Sequence, residues 1–115
     1  MKAILRSISS DTFNIRTWSP EDAECFALDL LLKIGAEGSD GADNFDLKVC
    51  SPSWLAQTSW SFRWGRGLLI VAEYDLAAVE KEISAHVAAC QGDTWIDIAV
   101  KLSRTLMWEF EDYVQ

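Results

Sequence analysis

The chain predicts an α+β domain: a mostly antiparallel sheet of four to five strands with two main helices packed on one face. Three observations carry that expectation. Apolar residues alternate strictly from Phe26 to Ile34 and again from Phe45 to Val49, the period of a half-buried strand. The connection between those two runs is rich in turn formers and lacks any core former. Later in the chain the apolar residues recur twice at the three- and four-residue spacing of an amphipathic helix.

Residues 2 to 8 read as a first strand, with Ala3, Leu5 and Ser7 on one face and Lys2, Ile4, Arg6 and Ile8 on the other, a register that the pattern leaves open. Over Phe26 to Ile34 a helix competes with the strand. Ser19 can cap it, Pro20 suits its first position, and Glu21 and Asp22 suit its first turn. The length of the alternation favours the strand, with Asp29 and Lys33 on the face opposite the leucines. Gly35 to Asn44 forms a surface connection containing three glycines, and Phe45, Leu47 and Val49 complete a hairpin with a long acidic loop. Ser51 and Pro52 open a short helix carrying Trp54 and Leu55, and Trp60, Phe62 and Trp64 follow at period two.

Leu68 to Ala72 is a continuous apolar run suited to a central strand covered at least partly on both faces. Asp75 caps a helix running through Cys90, with Leu76, Val79, Ile83, Val87 and Cys90 as its apolar stripe and Gly92 as its stop. Asp93 caps a second helix, in which Trp95, Ile98, Ala99 and Leu102 share a face and which ends near Arg104. Trp108 to Tyr113 reads as the last strand, with Trp108 and Phe110 on its core face and Glu109 and Glu111 on the other. A single helix continuing to Tyr113 is the alternative.

With 115 residues, half of them hydrophobic, one core and one domain spanning 1–115 are expected. Ten basic against 18 acidic residues give a net charge of −8. That balance repels nucleic acid phosphates and makes a basic partner the electrostatic complement. Residues 19 to 46 concentrate the acid, with eight carboxylates against Lys33 alone, and residues 108 to 115 add three more. Residues 47 to 66 are instead net +3 through Lys48, Arg63 and Arg66. Only three apolar residues stand between Lys2 and Arg6, too few for a signal peptide, and no run approaches the ~18 residues that span a bilayer, so no membrane partner and a cytoplasmic location are expected. Cys25, Cys50 and Cys90 lack the spacing of a zinc or redox pair and read as reduced, mostly buried thiols.

Catalytic constellations are hard to assemble. His86 is the sole histidine and borders a helix stripe, and neither a nucleophile elbow nor an orienting third group accompanies it and Cys50. Asp40, Asn44 and Asp46 alternate as calcium ligands do, but Ala42, Phe45 and Ser51 stand where that loop needs a ligand, a glycine and a glutamate. Gly35, Gly38 and Gly41 lack the lysine and the strand-to-helix setting of a phosphate cradle. No cofactor, metal or catalytic residue is therefore assigned. Six tryptophans exceed what a core routinely requires, so some of them are candidate contact anchors. Trp60, Phe62 and Trp64 beside Arg63 and Arg66 also resemble a base-stacking surface, against which the global charge argues.

Cys50-Ser51-Pro52-Ser53-Trp54-Leu55, Trp64-Gly65-Arg66-Gly67-Leu68-Leu69-Ile70-Val71, Gly92-Asp93-Thr94-Trp95, Leu102-Ser103-Arg104 and Trp108-Glu109-Phe110-Glu111-Asp112-Tyr113 occur in an order and spacing covering nearly the whole chain. Together they resemble the immunity protein 8 family of bacterial polymorphic toxin systems. The chain departs from that pattern at Ser51 and Ser53, where Thr and Lys are commoner. The resemblance implies a non-enzymatic antidote that binds the toxic C-terminal domain of a contact-delivered or secreted effector, often a nuclease. It also makes Trp108 and Phe110 elements of the fold, in the core against Trp95. The candidate toxin-binding residues are Glu37, Asp40, Asp43 and Asp46 in and after the acidic loop, and Glu109, Glu111 and Asp112 near the end. Two other classes compete: a small enzyme or ligand-binding domain using Cys50 or the Trp60 to Trp64 region, and a subunit of a larger assembly.

Overall fold

The computed structural model describes residues 1–58 and 61–112. It is α+β, with five strands and three helices: β1 (Ala3–Ser9), β2 (Ala27–Ala36), β3 (Asp43–Cys50), α1 (Pro52–Gln57), β4 (Leu68–Ile70), α2 (Leu76–Ala88), α3 (Trp95–Leu102) and β5 (Met107–Trp108). The sheet order is β1-β2-β3-β4, and β5 also pairs with β3. All pairings are antiparallel except that of β3 with β4.

Strict alternation produces a two-faced sheet. Leu28, Leu30, Leu32 and Ile34 of β2 and Phe45, Leu47 and Val49 of β3 are buried in one cluster with Val79, Ile83 and Val87 of α2 and Ile98, Ala99 and Leu102 of α3. The opposite face is open, with Asp29, Lys33 and Asp46 exposed and Leu31 and Lys48 half-buried. The open register of β1 is settled by a bulge between Leu5 and Ser7, after which Ser7 faces Lys33 and Ser9 faces Leu31. The segment before β2 forms no helix. Phe13 stacks on Trp18, and Tyr74 meets both Trp18 and Phe26 edge-on, so an aromatic chain pins the segment instead.

Asp75 caps α2 by accepting from the Ala78 amide. For α3 the cap is Thr94 rather than Asp93, because Thr94 and Asp97 form a reciprocal capping box. Gly92 lets the chain pass close to α3, since a Cβ there would lie 2.9 Å from that of Asp97. Ser51 is fully buried, and its hydroxyl accepts from the amides of Phe26 and Trp54, joining β2 to the start of α1.

Three expectations are corrected. The apolar run at Leu68 makes a three-residue parallel strand at an edge, not a central strand, and Ile70 is 52% exposed. An apolar run reports hydrophobicity but not the number of strand neighbours. The final strand stops at Trp108: beyond the Phe45–Trp108 pair, the Glu109 carboxylate accepts from the Asn44 amide, and the chain turns as the Glu111 amide donates to the Trp108 carbonyl. Phe110 is therefore 42% exposed rather than in the core, touching Trp108 edge-on, while Tyr113 lies outside the described residues. Phe62 and Trp64 belong to no strand, and Trp60 also lies outside the described residues.

Candidate partner interface

The seven acidic candidates separate into two groups by what holds them. Glu37 and Asp40 stand exposed in the loop between β2 and β3, and Asp46 stands exposed on the open sheet face. The loop is built rather than loose. The Glu37 amide donates to the Lys2 carbonyl, the Ser39 amide to the Ala36 carbonyl, and the Gly41 amide to the Ser39 hydroxyl. Arg6 reaches from β1 to donate to the carbonyls of Ala36 and Ser39. Its cation thus sits beneath the acidic loop and fixes its path, while the carboxylates project outward.

Asp43 is internal. One of its oxygens accepts from the indole N–H of Trp95 at 2.8 Å and that of Trp108 at 3.0 Å, so one carboxylate ties β3 to α3 and β5. Phe45 lies in the same cluster, stacked on Trp108 and edge-on to Trp95, with ring centroids 6.4 Å away in each case. Both indoles are half-buried, which is why each needs a partner for its N–H.

Glu109 and Glu111 are likewise committed: Glu109 to the Asn44 amide at 2.8 Å, and Glu111 to the forked guanidinium of Arg66. The Arg66 hydrogen bond holds the Glu111 carboxyl below its ordinary range. Asp112 is exposed, with a left-handed backbone at φ 61°. The structure therefore leaves Glu37, Asp40, Asp46 and Asp112 exposed, engages the half-buried Asp43 and Glu111 with tryptophans and Arg66, and ties the still exposed Glu109 to the Asn44 amide.

The family model for immunity protein 8 matches residues 3–113. The chain belongs to the immunity protein 8 family. Neither a curated protein nor a solved structure matches it. The assignment supports an immunity protein, whose partner is a toxin, and favours a non-enzymatic role.

The thiol of this immunity protein that competed as a nucleophile is sealed off. Cys50 is 0% exposed, and burial pushes its thiol up in pKa against the opposing pull of Arg63 and Lys48. Folded protein treated with iodoacetamide at neutral pH is expected to leave Cys50 unmodified until denaturant is added; rapid labelling in the native state would reopen the catalytic reading. His86 donates to or accepts from the Thr105 hydroxyl at 2.8 Å, a latch between α2 and the segment after α3. Beside it a half-open apolar cavity of about 190 Å³ is lined by Leu47, Leu68, Leu69, Ile83 and Leu106. That is below the roughly 300–1,000 Å³ of typical small-molecule sites. No helix among the described residues is long and apolar enough to cross a membrane.

For the arginine loop before β4 the sequence offers contact anchors, a base-stacking surface or a small-molecule pocket. Phe62 and Trp64 are 86% and 91% exposed, whereas Phe26 and Phe45 are 3% and 0%. Composition flagged surplus tryptophans, but nothing in the sequence distinguishes an outward indole from an inward one.

Proposed function

We propose that the protein binds the toxic C-terminal domain of a cognate polymorphic toxin in the cytoplasm and neutralises it, the toxin being a basic nuclease. The observation that carries this reading is the family match across residues 3–113. The acidic surface supports it: the net charge is −8, and Glu37, Asp40 and Asp46 point outward around one end and the open face of the β2–β3 hairpin. A field of that sign raises the encounter rate with a cationic protein at low ionic strength. Speed matters because an antidote must meet the toxin before the toxin meets its substrate.

Co-expression with the toxin domain encoded immediately upstream is expected to restore growth and to yield an isolable complex; failure of both would sink the proposal. The combined Glu37→Lys and Asp40→Lys variant is expected to slow association about tenfold at low salt and to flatten its salt dependence, with dissociation little changed. An unchanged association rate would reduce the loop to a solubility device. The buried state of Cys50 speaks against the enzyme reading, and no observation favours self-assembly.

A further inference from the structure

Outside the acidic surface, the most unusual feature is the segment between α1 and β4. Phe62 and Trp64 flank Arg63 and project into water, forgoing the burial of about 150–250 Å² that an aromatic side chain normally gains. The other described tryptophans are at least half-buried. The end of the segment that leads into β4 is held in place. The Gly67 amide donates to the Thr105 carbonyl at 2.9 Å, the Leu68 amide to the Gly65 carbonyl at 3.2 Å, and Arg66 donates to the Ser103 carbonyl at 2.9 Å while pairing with Glu111.

Charge at this place has the opposite sign to the rest of the chain. Lys48 and Arg63 both lie over the Trp54 ring, at 5.3 and 5.9 Å from its centroid. Lys48 is neutralised by Asp29 at 2.8 Å and Arg66 by Glu111, whereas Arg63 has no carboxylate partner among the described residues. Two exposed aromatic residues on either side, in sequence, of an arginine that lacks a carboxylate partner among the described residues have the composition of an interface hot spot, in which tryptophan and arginine dominate.

We propose that Phe62, Arg63 and Trp64 form the hydrophobic anchor of the toxin interface, the two rings entering an apolar cleft of the toxin whose rim presents a carboxylate to Arg63. This rests on the immunity reading and assigns the two surfaces different work. The acidic loop accelerates encounter, and the aromatic loop slows release. The occupant is a protein with an acidic lip because the free charge of the loop is positive; a chain of net charge −8 repels the alternative, a phosphate backbone.

The test is binding kinetics on the immobilised toxin domain encoded upstream, released from its co-expressed complex in denaturant and refolded. Trp64→Ala is expected to weaken binding about 30-fold or more, chiefly through faster dissociation, and Phe62→Ala with Trp64→Ala about 100-fold or more. Trp64→Phe, which keeps a ring, is expected to recover most of the loss. Arg63→Glu is expected to slow association as well. The rings lie in solvent, so the thermal midpoint of each variant should match the parent; where it falls, the Trp64→Phe comparison still separates a lost contact from a lost fold. Tight binding by the parent with the double variant within threefold of it would overturn the anchor and leave the immunity reading standing. No binding by the parent would sink both. Capture of a single-stranded oligonucleotide, or self-association of the free chain, that the double variant abolishes would also overturn the proposal.

Discussion

Asp43→Ala is expected to lower the free energy of unfolding by about 2–4 kcal/mol, because hydrogen bonds to a charged group contribute about 1.5–3 kcal/mol each and two that share one oxygen are not additive. Urea unfolding followed by circular dichroism measures it. The side chain serves Trp95 and Trp108 together, so its removal leaves two half-buried indole N–H groups without their acceptor and loosens the Phe45 cluster between them. Asp43→Asn keeps an oxygen able to face the indoles and is expected to recover about half of the loss. A midpoint unmoved by either change would show that the carboxylate does not hold these elements. The result also bears on interface mapping. An Asp43 variant is expected to lose protection together with stability, and a Glu37 and Asp40 variant to lose it with the unfolding midpoint unchanged, which urea unfolding beside the growth assay separates.

Gly35→Ala is the second large effect. The added Cβ would stand 2.1 Å from the Gly41 carbonyl oxygen, an obstacle made of backbone that cannot swing aside as a side chain would. Loss of about 3 kcal/mol is expected, at the upper end of overpacking costs, together with faster amide hydrogen exchange at Ser39 and Gly41. The substitution adds no charge and removes none. If the path of the acidic loop matters to the toxin, association slows although Glu37 and Asp40 remain. Full stability would show that the loop rides up without cost.

Local patterns were legible and distant pairings were not. The stripes Val79, Ile83, Val87 and Ile98, Ala99, Leu102 are buried as their spacing foretold, and the alternation in β2 and β3 gave the hairpin and its acidic loop. These periods are written within a single turn or a few strand residues. The use of Asp43 is not written that way. Its partners stand 52 and 65 residues away, and nothing near Asp43 differs from the carboxylates at Asp40 or Asp46. The extent of β5 was equally hidden, because it is set by the Glu109 carboxylate taking the Asn44 amide. The exposure of Phe62 and Trp64 was not legible either, since their spacing is compatible with a covered face as well as an open one.

One edge of β3 is shared by two strands: Lys48 to Cys50 pair with β4, and Phe45 and Asp46 pair with β5, the last element of the described chain. The hairpin of β2 and β3 is made early in synthesis, but its edge is closed only when residues some sixty positions later arrive. A growing chain therefore carries an open, partly apolar strand edge through most of its synthesis, a species prone to pairing with other chains. A chain truncated before Met107 leaves Phe45 and Asp46 without their β5 partners, and is expected to aggregate more readily than one carrying β5, which light scattering of the two measures.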